Sequence, residues 1–268
     1  MTHDTAEPSG HRPADGDPFG LSGRTALVTG SSRGIGRAIA SIFASRGAAV
    51  AVHCRDQAEA TAAAASISAP GQMPTAGFGA DLAEAGAGRR LVDEVTEEFG
   101  CLDIVVLNAS AQVRRPFADI PADEFAFQVD VNLRATFEIL QAALPRMAAA
   151  GWGRVLTIGS VQQVRPNPNL AVYAATKSAQ VNLAINLAKH YAGRGITVNN
   201  LAPGLIDTDR NSDLKADGAV YERLLQTIPA KRAGSPQDCA WPALLLCSPA
   251  GSYITGADLL VDGGLHLP

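Results

Sequence analysis

The chain has 268 residues, of which 47% are hydrophobic and 18% charged, with a formal net charge of −4. That size can bury one sizeable core, and mild acidity without a dense Lys/Arg tract argues against a nucleic-acid surface. No apolar run reaches the roughly 20 residues that a membrane span requires. In chain order, Thr2 to Gly20 is rich in Pro, Gly, Asp and His and lacks a basic-then-apolar signal pattern. We read residues 1–20 as a disordered tail and residues 21–268 as one catalytic domain. Cys54, Cys101, Cys239 and Cys247 form no CxxC pair and read as free buried thiols in a reducing compartment, which makes the cytoplasm the expected location. His3 and His11 stand alone, and no metal site is expected.

Short apolar runs predict strands at Thr25–Thr29, Ala49–Cys54, Thr75–Gly79, Ile104–Asn108, Arg154–Ile158, Thr197–Leu201 and Leu259–Val261. Helix-forming stretches lie between them at Gly36–Arg46, Gln57–Ser68, Glu84–Phe99, Glu124–Ala149 and Val172–Ala192. Alternation of this kind, with near-continuous apolar strands, predicts an α/β fold: a seven-stranded parallel sheet, doubly wound, with helices on both faces. Two segments break the regularity. Val161–Leu170 is a polar loop directly after a strand, and 205–231 is polar and loosely periodic, as expected of a lid. Both follow strand C-termini, where open α/β sheets bind ligands.

The run Thr29-Gly30-Ser31-Ser32-Arg33-Gly34-Ile35-Gly36 joins the first strand to the first helix. Gly30 permits the tight turn, Gly34 lets the backbone approach a diphosphate, and Gly36 allows the helix to pack closely on the sheet. The helix N-terminus adds N–H groups and a positive dipole end for phosphates. Gly30, Ser32, Arg33, Gly34, Ile35 and Gly36 are therefore the first candidates for holding a dinucleotide. The second strand ends in Val52-His53-Cys54-Arg55, with no carboxylate at its tip to take a ribose 2′-hydroxyl. Arg55, with Arg33, suits a 2′-phosphate instead, so NADP(H) is preferred and NAD(H) remains possible.

Tyr173 and Lys177 stand four apart, and Ser160 lies thirteen residues before the tyrosine. On a helix, i and i+4 share a face, so an ammonium can sit beside the phenol. A free phenol, with a pKa near ~10, is a poor acid-base catalyst at neutral pH, and a nearby positive charge favours its ionised form.

Taken together, the glycine loop, Asp81-Leu82 after the third strand, Asn108-Ala109 after the fourth, Asn132, Ser160, Tyr173, Lys177 and Pro203-Gly204 resemble the short-chain dehydrogenase/reductase family. The likeness runs from about Leu21 to Gly264, in the compact Rossmann-type form of that family, and is close in pattern to its 3-oxoacyl-carrier-protein reductase-like members. The resemblance implies that Tyr173 is the general acid, that Ser160 orients the carbonyl, and that Lys177 depresses the tyrosine's pKa and binds the nicotinamide ribose. It implies that Asn132 links Lys177, through water, to a proton relay. Asp81 would bind the adenine, Asn108 would steady the sheet beside the cofactor, Ile206 and Thr208 would hold the carboxamide, and Leu82, Pro203 and Gly204 would belong to the same cofactor-binding set. It also implies a homotetramer or homodimer. One departure is visible: Leu107-Asn108-Ala109-Ser110 stands where the family usually has Asn-Asn-Ala-Gly.

The expected activity is hydride transfer between nicotinamide and a carbonyl or secondary alcohol. A ketoreductase is the first reading, an alcohol, polyol or sugar dehydrogenase the second, and a non-catalytic dinucleotide sensor a remote third. Gln162, Arg165 and Arg210 are the substrate candidates, with Gln163, Asn167, Asp209, Asn211, Arg114 and Arg115 on the same edge. Such polar and cationic groups suit an oxygen-rich or anionic small molecule.

Overall fold

The computed structural model describes residues 16–68, 73–212, 216 and 218–268. Seven strands are present: β1 (Thr25–Val28), β2 (Ala49–Cys54), β3 (Thr75–Gly79), β4 (Ile104–Leu107), β5 (Gly153–Ile158), β6 (Ile196–Pro203) and β7 (Asp258–Val261). They form one parallel sheet in the order β3-β2-β1-β4-β5-β6-β7. The order reverses between β1 and β4, which opens a crevice at the carboxyl ends of those two strands. The strands β1, β2, β4, β5 and β6 are buried along their whole length, so their apolar runs are continuous rather than alternating.

The helices are α1 (Gly34–Ser45), α2 (Gln57–Ile67), α3 (Ala87–Phe99), α4 (Ala122–Val129), α5 (Ala135–Ala150), α6 (Ala171–Tyr191), α7 (Gly218–Gln226) and α8 (Pro236–Cys247). One face of the sheet is covered by α1 and α8, around Ile39, Phe43, Leu244 and Cys247. The other is covered by α3, α5 and α6, around Leu91, Val95, Ile139 and Leu144. Each fully buried Phe or Leu of these layers contributes about 1.5–3 kcal/mol relative to exposure.

Several boundaries differ from expectation for identifiable reasons. The third helix starts at Ala87 rather than Glu84 because Gly86 precedes it at φ +78°, outside the right-handed region. The long helix expected over 124–149 is two α-helices joined by a π-helical turn, Asp130–Arg134. The segment 236–247, for which the apolar pattern predicts no element, is α8. Ser235 and Asp238 form a capping box at its start and Pro236 occupies the first turn.

Residues 1–15 of the expected tail lie outside the described residues. Its last part does not behave as a tail: Pro18 accepts a bond from the Ala250 amide and Asp17 pairs with Arg46 at 3.7 Å. Cys101 is exposed rather than buried, and the other three cysteines are buried free thiols. Among the described residues no helix is long and apolar enough to cross a membrane, and no cluster of three His, Cys, Asp or Glu side chains could hold a metal ion.

Candidate active site

The glycine loop is built so that only glycine fits at its critical positions. A Cβ on Gly36 would stand 2.4 Å from the Gly30 carbonyl oxygen and 2.5 Å from Asn108 Nδ2. Gly30, at φ +63°, lies in the left-handed region, and a Cβ there would meet Ala109 Cα at 2.9 Å. Asn108 braces this turn by donating from Nδ2 to the carbonyls of Thr29 (2.9 Å) and Gly30 (2.8 Å). Thr29 Oγ1 returns the favour, accepting the amides of Asn108 and Ala109, each at 3.0 Å. α1 begins at Gly34 with no side-chain cap and no acidic residue in its first turn. Its leading N–H groups are therefore left for an anion to bind, and a cradle that any side chain would fill fits a dinucleotide diphosphate. Ser32 and Ile35 belong to the same turn, and Thr208 closes it from the far side, its methyl 3.3 Å from where a Gly34 Cβ would be. Gly204 is similarly tight against Asp262, Pro203 ends β6, and Ile206 is buried beneath.

Sequence reasoning overlooked His53. Its Nδ1 accepts from the Gly30 amide at 3.1 Å and its Nε2 faces the Ala80 carbonyl at 3.0 Å. Burial pushes its pKa down to about 4, so the ring is neutral, Nε2 carries the proton, and the imidazole ties the glycine turn to the ends of β2 and β3. The available signal was a histidine inside an otherwise apolar buried strand. Beyond it, Asp56 caps α2 by accepting the Glu59 amide at 2.8 Å, which removes the simplest partner for Arg55. Among the described residues neither Arg33 nor Arg55 forms an ion pair. Asp81 accepts the Ala83 amide at 2.9 Å through one oxygen, capping the turn after β3, with Leu82 buried beside it.

The crevice brings Ser160, Tyr173, Lys177 and Asn132 together, all buried. Ser160 caps a short turn after β5, and Tyr173 and Lys177 share one face of α6. The Lys177 ammonium lies 5.7 Å from the centre of the Tyr173 ring and donates to the Ile158 carbonyl (2.7 Å) and Gln180 Oε1 (3.0 Å). Asn132 sits in the π-helical turn, its side chain accepting the Ala111 amide at 2.7 Å and donating to the Ala111 carbonyl and Thr176 Oγ1.

The electrostatics differ from those expected of the pair. Burial pushes the Tyr173 phenol up. The strongest opposing influence is the charge of Arg210, followed by hydrogen bonds with Ser160, Arg210 and Ser110. Desolvation, reinforced by Arg210, brings Lys177 itself from 10.5 down to about 7, so in the cofactor-free protein it is only partly charged at neutral pH.

That shift has a consequence for stability. The folded-state pKa lies below the unfolded one, so between about pH 7 and 10.5 the unfolded chain holds a proton that the folded chain lacks, and stability rises with pH. Relative to Lys177→Met, the cofactor-free wild type is expected to gain about 1 kcal/mol per pH unit from pH 7.5 to 9.5, measured by urea unfolding. A constant difference across that range would contradict a buried, depressed lysine.

Of the substrate candidates, the structure brings Arg210 to the tyrosine. Its guanidinium is held by Ser110, through the hydroxyl at 2.8 Å and the carbonyl at 2.9 Å. The others serve the loops. Arg165 donates to the Leu265 carbonyl, Gln162 Oε1 accepts the Asn167 amide at 2.7 Å, and Gln163 donates to Asp258 at 2.6 Å. Asn211 donates to the Ile206 carbonyl, and Arg115 forms a bidentate pair with Glu124.

A profile of the enoyl-(acyl carrier protein) reductase family matches residues 30–266. A 3-oxoacyl (acyl-carrier-protein) reductase of Agrobacterium tumefaciens, whose crystal structure has NADP bound, is 44% identical with a TM-score of 0.87, over 92% of this chain and 95% of that one. A gluconate 5-dehydrogenase of Burkholderia cenocepacia, crystallised with NADP and tartrate, is 37% identical with a TM-score of 0.87, over 93% and 97%. A 3-oxoacyl-[acyl-carrier-protein] reductase of Staphylococcus aureus is 36% identical over 245 residues, 91% of this chain and 98% of that one.

Proposed function

The chain belongs to the short-chain dehydrogenase/reductase family, and from that premise we propose that its substrate is a small oxo or hydroxy acid whose carboxylate is met by Arg210. The enzyme is an NADP(H)-dependent oxidoreductase that interconverts a carbonyl and a secondary alcohol. The observation that carries the substrate class is the Arg210 guanidinium, anchored on Ser110 beside the Tyr173 phenol. A fixed guanidinium next to the reacting oxygen favours an anionic group close to the carbonyl. The gluconate 5-dehydrogenase relative, crystallised with a dicarboxylate, supports the same class. A second reading, reduction of a 3-oxoacyl thioester, is favoured by the 44% identity to the Agrobacterium reductase.

In this reading the glycine loop, Asn108 and the Pro203–Thr208 segment hold the dinucleotide, and Arg33 and Arg55 take its 2′-phosphate. The bound nicotinamide supplies the hydride or accepts it. Ser160 donates to the substrate oxygen, Tyr173 transfers its phenolic proton to that oxygen during reduction and takes one back during oxidation, and Lys177 fixes the ribose. Residues 21–268 act as one catalytic domain, with 205–231 as its cover. A homotetramer or homodimer is supported by the outward-facing Phe125, Phe127 and Phe137 on α4 and α5. The reduced thiols support a cytoplasmic setting.

The test is a turnover panel with NADPH that sets 5-oxogluconate and other oxo acids against 3-oxoacyl thioesters and their uncharged esters. Preference for the uncharged members would overturn the oxo-acid reading. Arg55→Ala is expected to weaken NADPH about 10- to 100-fold while leaving NADH within about twofold, read by fluorescence titration. Equal losses for the two cofactors would refute the phosphate assignment.

A further inference from the structure

The carboxyl ends of β1, β2 and β3 meet at one buried side chain, His53, in an otherwise apolar strand. Its backbone is engaged toward β1. The His53 amide donates to Ser31 Oγ at 3.1 Å, and its carbonyl accepts the Ser31 amide at 2.8 Å. The Ser31 hydroxyl passes its own proton to the Val28 carbonyl at 2.6 Å, so this serine of the glycine loop faces inward. The imidazole then spans to both neighbours, through the 3.1 Å bond from the Gly30 amide and the 3.0 Å bond to the Ala80 carbonyl. Those two partners fix the tautomer, since one is an N–H and the other a carbonyl. The Ala80 amide donates to the Cys54 carbonyl at 3.0 Å, so the step into Asp81 and Leu82 is tied to β2 on both sides of its peptide. One ring therefore sets the separation between the diphosphate cradle and the segment that opens with Asp81.

We propose that His53 is a positioning residue for the cofactor: by accepting the Gly30 amide it locks the glycine turn relative to Ala80–Leu82, and so sets the affinity for the adenosine half of the dinucleotide. The Gly30 N–H points at the imidazole and is withdrawn from the phosphates, which leaves the free N–H groups at the start of α1 to meet them. Gly30 holds φ +63°, a conformation open to many alternatives for glycine, and the bond to His53 selects one of them. An aliphatic side chain would suit the buried strand, yet it would leave the Gly30 amide and the Ala80 carbonyl without this partner. The turn would then relax to satisfy them, and the cofactor would have to restore it on binding. A protonated ring would be no better, because it would set an N–H against the Gly30 N–H. Burial guards against that by holding the ring neutral, and the Ala80 carbonyl and the Asp81 charge oppose the shift without reversing it. Among the described residues the bonds of His53 and Ser31 run to β1, β3 and the glycine turn, and none runs to Ser160, Tyr173 or Lys177.

The inference rests on the reading that the glycine turn holds NADP(H), and the experiment separates the two. Dissociation constants for NADPH, by fluorescence, and for adenosine 2′,5′-bisphosphate, by calorimetry, are measured for wild type, His53→Leu, His53→Asn and His53→Gln. Thermal unfolding of each variant gives the folded fraction to which the constants refer. His53→Leu is expected to weaken both ligands by the same factor, about tenfold. Asparagine places its Oδ1 near the position of the histidine Nδ1, so His53→Asn should restore both affinities to within about threefold of wild type. Glutamine reaches toward the Ala80 carbonyl but leaves the Gly30 amide unmet, and should stay with the leucine variant. If His53→Leu does not fold, the order of His53→Asn and His53→Gln decides alone. Unchanged constants in the folded fraction, with only a lower unfolding midpoint, would mark a purely structural histidine and overturn the proposal. So would a loss for NADPH that adenosine 2′,5′-bisphosphate does not share, or a rescue by His53→Gln in place of His53→Asn. A wild type that binds neither ligand would instead remove the reading on which the inference rests.

Discussion

Tyr173→Phe is expected to lower turnover by about 10²- to 10⁴-fold, the range a positioned general acid contributes, while NADPH affinity stays within about twofold. The reasoning is local. The substitution removes one oxygen from a buried ring and leaves the glycine cradle, Asn108 and the Lys177 contacts to Ile158 and Gln180 untouched. The groups that bonded the phenol keep other partners, Arg210 with Ser110 and Ser160 with the Gln162 amide, so the stability change should be about 1 kcal/mol or less. Steady-state kinetics, a fluorescence titration with NADPH and a thermal unfolding midpoint separate these effects. Turnover comparable to wild type would sink the proton-donor role. A parallel loss of NADPH affinity would mean that the phenol is part of the cofactor site's structure.

Much of the fold was legible because buried parallel strands announce themselves as unbroken apolar runs. Ala49–Cys54 and Thr75–Gly79 have the bounds read from the sequence, and the remaining strands differ at their ends by one or two residues. Helix ends were harder, since they depend on single backbone angles. Gly86 shortens α3 by taking φ +78°, a property no periodicity reveals. The π-helical turn at 130–134 is invisible to an apolar pattern, because one extra residue per turn shifts the face only slightly. α8 was legible in principle from its Ser235-Pro236-x-Asp238 start, yet its two prolines argue against a helix when read without the cap.

The site divides differently. Gly30, Gly34 and Gly36 were readable because their chemistry is steric and local: a Cβ at Gly30 or Gly36 would collide with its neighbours, and Gly34 takes φ +58°, in the left-handed region. Polar loop residues carried no such information. Gln162, Gln163 and Arg165 are polar because they hold the loop after β5 to itself, to β7 and to the C-terminal segment, and composition does not distinguish that duty from substrate binding. Sequence spacing also missed a second charge that acts on the phenol. Lys177 is four residues from Tyr173, but burial reduces its own charge, whereas Arg210 arrives from another strand end and is fixed by Ser110, one hundred residues away. Tertiary contact adds to helical proximity in setting the electrostatics.

Arg210→Met should therefore have two effects that no loss of folding would produce together. Removing the largest influence holding the Tyr173 phenol down, against the burial that pushes it up, should move the acid-side limb of alcohol oxidation, where activity rises with pH, toward higher pH, because ionised tyrosine is then harder to form. The KM for an oxo acid should rise about 10- to 100-fold, the loss expected for a charge-assisted bidentate contact, while the KM of the corresponding methyl ester stays within about threefold. Ser110→Gly gives an intermediate case: the guanidinium keeps its bond to the residue 110 carbonyl but loses the hydroxyl, so a smaller KM change with the same substrate order is expected. The pH profile and the acid-to-ester ratio answer separate questions. A shifted profile with an unchanged ratio would keep Arg210 as the cation that tunes the tyrosine and remove it from substrate binding. An unchanged profile with a collapsed ratio would do the reverse, and leave the phenol's ionisation to the bound cofactor and Lys177. Loss of both in Arg210→Met, with Ser110→Gly between it and wild type, is the result that follows if one guanidinium, set by one serine, serves substrate and catalyst together.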